Sequence, residues 1–213
     1  FLVSIMDHIC VFELPKYLEF YDLVQYFQLQ NKKIFLVGHS SGGGLAIRIA
    51  GGAYQHLVQG YVLLSPAIPT APTMRQGTAG GWAKVSIIKI ITLSILNSIG
   101  ITRWNHSNVI QFNMPPDVCN GTETLSYTFN LNSSYHPRQP YQDDIKALKD
   151  KFIVFVGSKD EANDPNQYSI VMGMDSDKFI RIIEGGKHLD IVYNQEVMRA
   201  TADWIENLST TLE

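Results

Sequence analysis

The pentapeptide Gly-His-Ser-Ser-Gly at residues 38–42 constrains the fold more than any other part of the chain. It follows an apolar run, Ile-Phe-Leu-Val at residues 34–37, and precedes residues 45–50, whose composition is helical. A serine between glycines, at a sharp turn from a buried strand into a helix, is the sequence context of a nucleophile elbow. The pattern therefore predicts a buried strand, a turn that exposes the Ser40 hydroxyl, and a helix that begins near Ser41.

Three further apolar runs, each ended by a turn signal, predict buried strands at residues 61–66, 152–157 and 179–183. A last helix is expected over roughly residues 191–208, where apolar side chains recur at helical spacing. Strands that are apolar along their length and alternate with helices are typical of a doubly wound, mainly parallel sheet. The fold class is therefore predicted to be α/β.

Charge and cysteine content exclude several classes of function. The 213 residues carry a net charge of −3 without a run of lysine or arginine, so nucleic acid is not an expected partner. Cys10 and Cys119 have neither metal-ligand nor redox spacing. A disulfide between them is one interpretation, and free thiols in a reducing compartment are the favoured one. Residues 1–6 lack the basic head and the length of a signal peptide, and a cytoplasmic location is expected.

A candidate acid follows the third predicted strand. Asp160 lies in a loop directly after residues 152–157, at the edge of an open parallel sheet where ligands bind. A serine nucleophile needs a base, and the base needs a carboxylate that orients it. Asp160 is the predicted carboxylate. Glu161 is an alternative with a longer reach, whereas Asp164 is more typical of a cap that starts the next helix.

A candidate base follows the fourth predicted strand. His188 comes after Gly-Gly-Lys at residues 185–187, so its loop leaves the same edge of the sheet. The chain order serine, acid, histidine is the order expected in this architecture. Asp190 is expected to begin a helix. His8 comes too early in the chain to serve as the base. His39 is expected to point from the elbow into neighbouring structure, His56 to lie on the surface, and His106 and His136 to lie in the inserted region.

The region between the second and third of these strands does not follow the alternation of strands and helices. We expect a core over residues 1–69 and 143–213, with residues 70–142 inserted as a cap or lid. Residues 85–97 predict a helix with a broad apolar face, although their β-branched residues leave a strand open. The face could pack on the core, cover a substrate or contact a membrane surface. A membrane span is not expected, because the run is short and contains Lys89.

Three motifs together resemble the α/β-hydrolase superfamily: residues 38–43, 157–161 and 185–188. Within it they are most similar to the monoglyceride lipase and lysophospholipase-like branch, of serine aminopeptidase type, which carries a cap inserted in the core. Residues 127–144, which end in Tyr-Gln-Asp-Asp, are also similar to those proteins. The resemblance implies hydrolysis of an ester through an acyl-enzyme. It carries over Ser40 as nucleophile, Asp160 as acid and His188 as base, without a cofactor or a metal.

The oxyanion hole is predicted only in part. A helix that starts near Ser41 aims its first amides at the elbow, so the Ser41 N–H is the expected donor. The resemblance implies a second amide from a His-Gly turn before the elbow strand, but residues 1–33 contain no His-Gly pair. We therefore expect the family's N-terminal strands to be missing from this sequence. Residues 1–7 are expected to form the strand before the elbow strand, and residues 17–30 the connecting helix.

The expected substrate is an acylglycerol, a lysophospholipid or a small ester with an apolar acyl or aromatic part. Two alternatives stay open: an aminopeptidase of the same superfamily, and a non-catalytic binding protein that keeps the fold. An aminopeptidase needs an acidic site for a free amino terminus. The predicted cap and its exit hold few carboxylates: Asp117, Glu123, Asp143 and Asp144. Dehalogenases and epoxide hydrolases of this superfamily are disfavoured, since they place an aspartate where Ser40 stands.

Overall fold

The computed structural model describes residues 2–5, 22, 24–27, 32–75, 81, 83–113, 124–173 and 178–211. The strands, in chain order, are β1 (Leu2–Ile5), β2 (Phe35–His39), β3 (Gly60–Leu64), β4 (Ala83–Val85), β5 (Asn108–Phe112), β6 (Ser126–Thr128), β7 (Phe152–Gly157) and β8 (Ile180–Ile183). The α-helices are α1 (Ser41–Ala50), α2 (Ile87–Ser98), α3 (Phe129–Tyr135), α4 (Tyr141–Leu148), α5 (Tyr168–Met172), α6 (Asp190–Tyr193) and α7 (Gln195–Thr211). Two short 3₁₀ turns cover Gln55–Leu57 and Pro165–Gln167.

The main sheet is parallel throughout its described strands, in the order β1-β2-β3-β7-β8. β2, β3 and β7 are buried along their whole length, which explains why their sequences are continuously apolar. Alternate residues point to opposite faces: Leu36 and Val154 pack on the side of α1, whereas Val37 and Phe155 pack on the side of α7. Helices thus cover both faces, and the predicted doubly wound α/β class is confirmed.

The N-terminal segment forms the predicted strand. β1 pairs in parallel with β2, with Leu2 opposite Phe35 and Ile5 opposite Gly38. In the predicted connecting helix, residues 22 and 24–27 are helical, and the rest lies outside the described residues. Cys10 and Cys119 also lie outside them, so the state of these thiols stays a prediction.

The prediction of one continuous last helix is wrong in a detail. The chain forms α6 and then α7, and the break falls at Asn194. The Asn194 side-chain oxygen accepts hydrogen bonds from the N–H groups of Glu196 and Val197, at 2.9 and 3.2 Å. Asn194 is therefore an N-cap, which satisfies amides that a helix start leaves without partners.

A second, antiparallel sheet lies within residues 70–142, in the order β4-β5-β6, and α2 packs beside it. The helical interpretation of residues 85–97 is confirmed by α2. One side of α2 packs on the hydrophobic cluster of the second sheet, through buried Leu93 and half-buried Ile90 and Leu96, and not on the clusters of the main sheet. Five isoleucines on or just after α2 are more than half exposed: Ile87, Ile88, Ile91, Ile95 and Ile99. Where the cap begins and ends stays a prediction.

An ion pair between half-exposed Arg138 and a buried aspartate joins the chain after α3 to α1. The Asp144 carboxylate, on α4, accepts hydrogen bonds from the Arg138 guanidinium and, at 2.6 Å, from the Arg138 N–H. Arg138 also donates to the carbonyl of Arg48 on α1, at 3.1 Å. Arg48 in turn donates to the carbonyls of Ser133 and His136. Because this aspartate is buried and paired, its removal would leave Arg138 without its carboxylate.

Within the described part of the chain, no helix has both the length and the apolar character that a membrane span requires.

Isoleucines of the main sheet and of α2 should respond very differently to truncation. Ile153→Ala, in β7 where the side chain is 2% exposed, is expected to lower the free energy of unfolding by about 2–5 kcal/mol. Ile88→Ala, where the side chain is 82% exposed, is expected to change it by less than about 0.5 kcal/mol. Urea unfolding of the two variants measures the difference. Equal losses would contradict the placement of these two residues.

Candidate active site

The elbow serine has a backbone conformation that non-glycine residues seldom adopt. Ser40 has φ +50° and ψ −116°, at the junction of β2 and α1. The turn is so tight that a Cβ on Gly38 would lie 2.3 Å from the Gly42 carbonyl oxygen. A Cβ on Gly43 would lie 2.7 Å from Cα and Cβ of Pro66. The glycines of the motif are therefore required by close backbone approach, as a nucleophile elbow needs.

Two backbone hydrogen bonds hold Ser40 in this conformation. Its N–H donates to the Leu64 carbonyl at 2.9 Å, and its carbonyl accepts from the Ala67 N–H at 2.8 Å. Both partners come from the end of β3 and the loop that follows it. The strained residue is thus fixed by the neighbouring strand, and strain of this kind persists where the surroundings hold it.

The structure brings the three sequence-predicted site residues together. His188 Nε2 lies 2.9 Å from Ser40 Oγ. On the other side of the ring, His188 Nδ1 lies 2.9 and 3.1 Å from the two carboxylate oxygens of Asp160. The residues follow β2, β7 and β8, so each stands at the carboxyl end of a strand in one parallel sheet. His188 is 4% exposed and Asp160 is 1% exposed.

Asp160 is held as a carboxylate. Its Oδ1 accepts hydrogen bonds from the N–H groups of Ala162 and Asn163, at 2.9 and 2.8 Å. Burial by itself would raise the pKa of Asp160, but the His188 ring, the Asn163 N–H and the nearby Ser65 hydroxyl outweigh it. The net effect lowers the pKa of this carboxyl below its ordinary value. A charged acceptor facing Nδ1 keeps the proton on that nitrogen and leaves Nε2 free to accept from Ser40.

The other acids considered from the sequence have different positions. The Glu161 carboxylate accepts a hydrogen bond from the backbone N–H of His188 at 3.0 Å, so it contacts the peptide and not the ring. Asp164 caps the turn Pro165–Gln167 through the Asn166 N–H, as its cap prediction expected. Asp190 begins α6, which confirms its expected place at a helix start.

His39 was expected to point into neighbouring structure, and it does. The ring is buried, and its Nε2 lies 2.9 Å from the His188 carbonyl oxygen. Burial, reinforced by the proximity of His188, lowers the pKa of His39 to about 3, so the ring is neutral. A neutral imidazole facing a carbonyl must donate from Nε2.

The other described histidines have separate surroundings. His56 is exposed on the turn Gln55–Leu57, as predicted, and His106 is exposed in the inserted region. His136 pairs with the side chain of Asn132, and burial lowers its pKa to about 4. His8 lies outside the described residues.

Sequence reasoning missed how closely the acid loop and the base loop are joined. The N–H groups of Ser158 and Lys159 donate to the carbonyls of Ile183 and Gly186, both at 2.9 Å. In return, the Ser158 hydroxyl oxygen accepts from the Gly185 N–H at 2.8 Å. The two loops approach so closely that a Cβ on Gly157 would lie 2.1 Å from the Gly186 oxygen. Gly157 and Gly186, one glycine in each loop, were the sequence signal for this close approach.

The predicted oxyanion donor lies at a helix start. Ser41 is the first residue of α1, where backbone amides lack partners within the helix and carry partial positive charge. Sequence reasoning missed Tyr135, a buried residue of α3 whose hydroxyl lies within hydrogen-bonding reach of the Ser41 side chain. Burial raises the pKa of Tyr135, so its hydroxyl stays neutral. Among the described residues, no cluster of histidine, cysteine, aspartate and glutamate could hold a metal ion.

Comparison with known proteins identifies the family of this chain. The family described as "Serine aminopeptidase, S33" matches residues 17–193. The chain belongs to this family of α/β-hydrolases. Its sequence is 25% identical to monoglyceride lipase of Rattus norvegicus over 181 residues, which are 83% of this chain and 57% of that protein. It is 27% identical to monoglyceride lipase of Homo sapiens over 160 residues, 73% of this chain and 51% of that protein. The chain thus spans little more than half the length of these relatives.

Solved structures support the assignment of the fold. The monoacylglycerol lipase of Paleococcus ferrophilus superposes with a TM-score of 0.59 at 16% identity, covering 91% of this chain and 74% of that one. A soluble variant of monoglyceride lipase from Saccharomyces cerevisiae, solved with a substrate analog, gives 0.53 at 14% identity, covering 92% and 66%. At these identities the likeness concerns the fold alone, and it confirms the α/β-hydrolase architecture.

Burial of neutral His39 predicts a specific loss of stability in acid. In the unfolded chain this histidine takes up a proton near pH 6.5, but in the folded protein only near pH 3. Above pH 6.5 this histidine therefore leaves the free energy of unfolding unchanged. As the pH falls from 6.5 toward 3 it lowers the free energy of unfolding increasingly, by about 2 kcal/mol at pH 5. Urea unfolding at pH 7 and pH 5 should show this part of the loss removed in His39→Gln. The exposed control His56→Gln should keep the wild-type loss, and an unchanged loss in His39→Gln would contradict the prediction.

Proposed function

We propose that this α/β-hydrolase cleaves carboxylic esters through an acyl-enzyme, with Ser40 as nucleophile, His188 as base and Asp160 as the orienting acid. One observation carries the proposal: an unbroken series of hydrogen bonds from Asp160 through His188 to Ser40, with 2.9 Å on each side of the ring. This is the arrangement that activates a serine hydroxyl for attack on an acyl carbon.

The proposed reaction has two acyl-transfer steps. Ser40 Oγ attacks the ester carbonyl carbon while His188 Nε2 takes its proton. The C–O bond to the alcohol then breaks, and the alcohol leaves with that proton. In the second step, water loses a proton to His188 and attacks the acyl-enzyme, which releases the carboxylic acid and restores the Ser40 hydroxyl. Asp160 stays ionised throughout and stabilises the imidazolium that forms in each step, which its lowered pKa favours.

In this mechanism the Ser41 N–H stabilises the negative oxygen of each tetrahedral intermediate. Ser41 follows the nucleophile at the first position of α1, so its amide and the positive end of the helix face the site of charge development. The contact between the Tyr135 hydroxyl and the Ser41 side chain helps to fix this residue. A second amide is expected from another part of the protein.

An ester with an apolar acyl part is the proposed substrate class, with acylglycerols, lysophospholipids and small acyl esters as its members. The two curated relatives are both named monoglyceride lipase, and residues 70–142 form the proposed cap with its apolar helix α2.

Two alternative functions are less well supported. The family description also names an aminopeptidase. Asp144, one of the few carboxylates near the cap's exit, is buried and bound to Arg138, which leaves it unsuited to binding an amino terminus. A non-catalytic binding protein would have no need of the ordered Ser40–His188–Asp160 contacts.

Hydrolysis of p-nitrophenyl esters tests the nucleophile and the acid directly. Ser40→Ala and Asp160→Asn are each expected to lower kcat by about 10⁴-fold or more, because they remove the nucleophile and the charge that orients the base. Ser94→Ala, on the exposed side of α2, should keep wild-type turnover. Turnover of aminoacyl-anilides in preference to esters would favour the aminopeptidase instead. Undiminished turnover by folded Ser40→Ala would contradict the proposal.

We also propose that the cap contacts a membrane surface through α2. Its exposed isoleucines form an apolar patch, and the hydroxyls of Thr92 and Ser94 bond to carbonyls of their own helix, at 2.9 Å each. Lys89, which carries a charge on this helix, donates to the Asn108 carbonyl beside it. An exposed apolar patch of this kind is suited to the boundary between lipid headgroups and acyl chains, where an acylglycerol also resides.

Sedimentation with phosphatidylcholine vesicles tests this contact. Ile88→Glu places a charge at the most exposed isoleucine of α2 and is expected to weaken vesicle binding by about tenfold or more. Ile170→Glu is a matched control, because Ile170 is 70% exposed but lies on α5, outside the proposed cap. Equal binding of wild type and Ile88→Glu, or equal weakening by both variants, would contradict a contact through α2.

A further inference from the structure

The backbone of His188 makes two hydrogen bonds with the side chains of residues that are next in the chain to its ring partners. Its N–H donates to the Glu161 carboxylate at 3.0 Å, and its carbonyl accepts from the His39 ring at 2.9 Å. Glu161 follows Asp160 in the chain, and His39 precedes Ser40. Asp160 and Ser40 thus bond the His188 ring, and their chain neighbours Glu161 and His39 bond the His188 backbone.

His39 is built for this contact. It is the last residue of β2 and is buried, and its ring centroid lies 4.9 Å from that of His188. A buried neutral imidazole with Nε2 against a carbonyl oxygen can only donate there, which fixes its tautomer. A serine nucleophile does not require histidine at this position for its own chemistry. The side chain instead spans from the elbow strand to the base loop.

Glu161 provides the opposite contact. Its carboxylate is partly buried and accepts from a backbone amide, and charge-assisted hydrogen bonds of this kind are stronger than neutral ones. The rest of its loop is already joined to the base loop by the Ser158 and Lys159 amides. Glu161 extends this series of contacts to His188 itself, close to the hydrogen bond between Asp160 and the ring.

We propose that His39 and Glu161 are positioning residues for His188: together they hold its peptide so that Nδ1 stays against Asp160 and Nε2 against Ser40. The inference deepens the proposed function and rests on it. Both hydrogen bonds are made to the backbone of His188 and not to its ring. Loss of either contact lets the base loop shift, which lengthens the two ring hydrogen bonds, and a displacement of a fraction of an ångström is costly for proton transfer.

Matched pairs of variants separate positioning from bulk packing. His39→Leu removes the donor, whereas His39→Gln keeps an N–H at a similar reach. Glu161→Ala removes the acceptor, whereas Glu161→Gln keeps a carbonyl oxygen. In ester hydrolysis, His39→Leu and Glu161→Ala are each expected to lower kcat by about 10- to 100-fold with little change in KM, and the amide variants to recover most of that loss. Urea unfolding verifies that all four variants are folded.

Exchange of the His188 Nδ1 proton with water gives a readout that needs no turnover. In protein labelled with ¹⁵N-histidine, this proton is protected by its hydrogen bond to Asp160. It should exchange about tenfold faster in His39→Leu and Glu161→Ala, and near the wild-type rate in His39→Gln, Glu161→Gln and the exposed control His56→Gln. Wild-type exchange and kcat in the Leu and Ala variants would overturn the proposal, as would equal losses in the amide variants. Absence of esterase activity with the expected exchange pattern would instead reject the proposed function and keep the positioning role.

Discussion

The conformation of Ser40 is the constraint on which the site depends. A serine at φ +50° is strained, and it is held by hydrogen bonds to the end of β3 and the loop after it. The turn requires that α1 return almost onto β2, which leaves no room for a side chain at Gly38 or Gly43. Because of this turn, the Ser40 hydroxyl points away from β2 and faces the loops that follow β7 and β8. The parallel sheet makes this possible, because all three strands end at one edge.

The acid and base loops form one hydrogen-bonded unit, and this unit is brought to Ser40 by the order of the strands. β7 and β8 are neighbours, so the loops that follow them can bond directly through Ser158, Lys159 and Gly185. β3 separates β7 from the elbow strand. The His188 ring reaches across this interval to Ser40, and the His39 ring reaches back to the His188 carbonyl. The site is therefore a set of mutually oriented groups on rigid strands.

Much of this arrangement could be predicted from the sequence, because its signals are local. The apolar runs of β2, β3 and β7 mark buried strands, and the glycines around Ser40 mark a close turn. The position of Asp160 and His188 after their strands was enough to expect them at one edge. The role of Glu161 was not accessible, since a carboxylate beside an acid candidate does not reveal whether it faces a ring or a peptide. The break at Asn194 and the exposure of α2 also depend on three-dimensional neighbours, which periodicity does not specify.

The most direct test of the account is reaction of the protein with a fluorophosphonate, followed by peptide mass mapping. Such a probe forms a covalent bond with a serine whose hydroxyl is activated by an adjacent base. The account predicts one adduct, located on Ser40, which is lost in Ser40→Ala and greatly slowed in Asp160→Asn. An adduct at another serine, or folded protein without an adduct on Ser40, would contradict it.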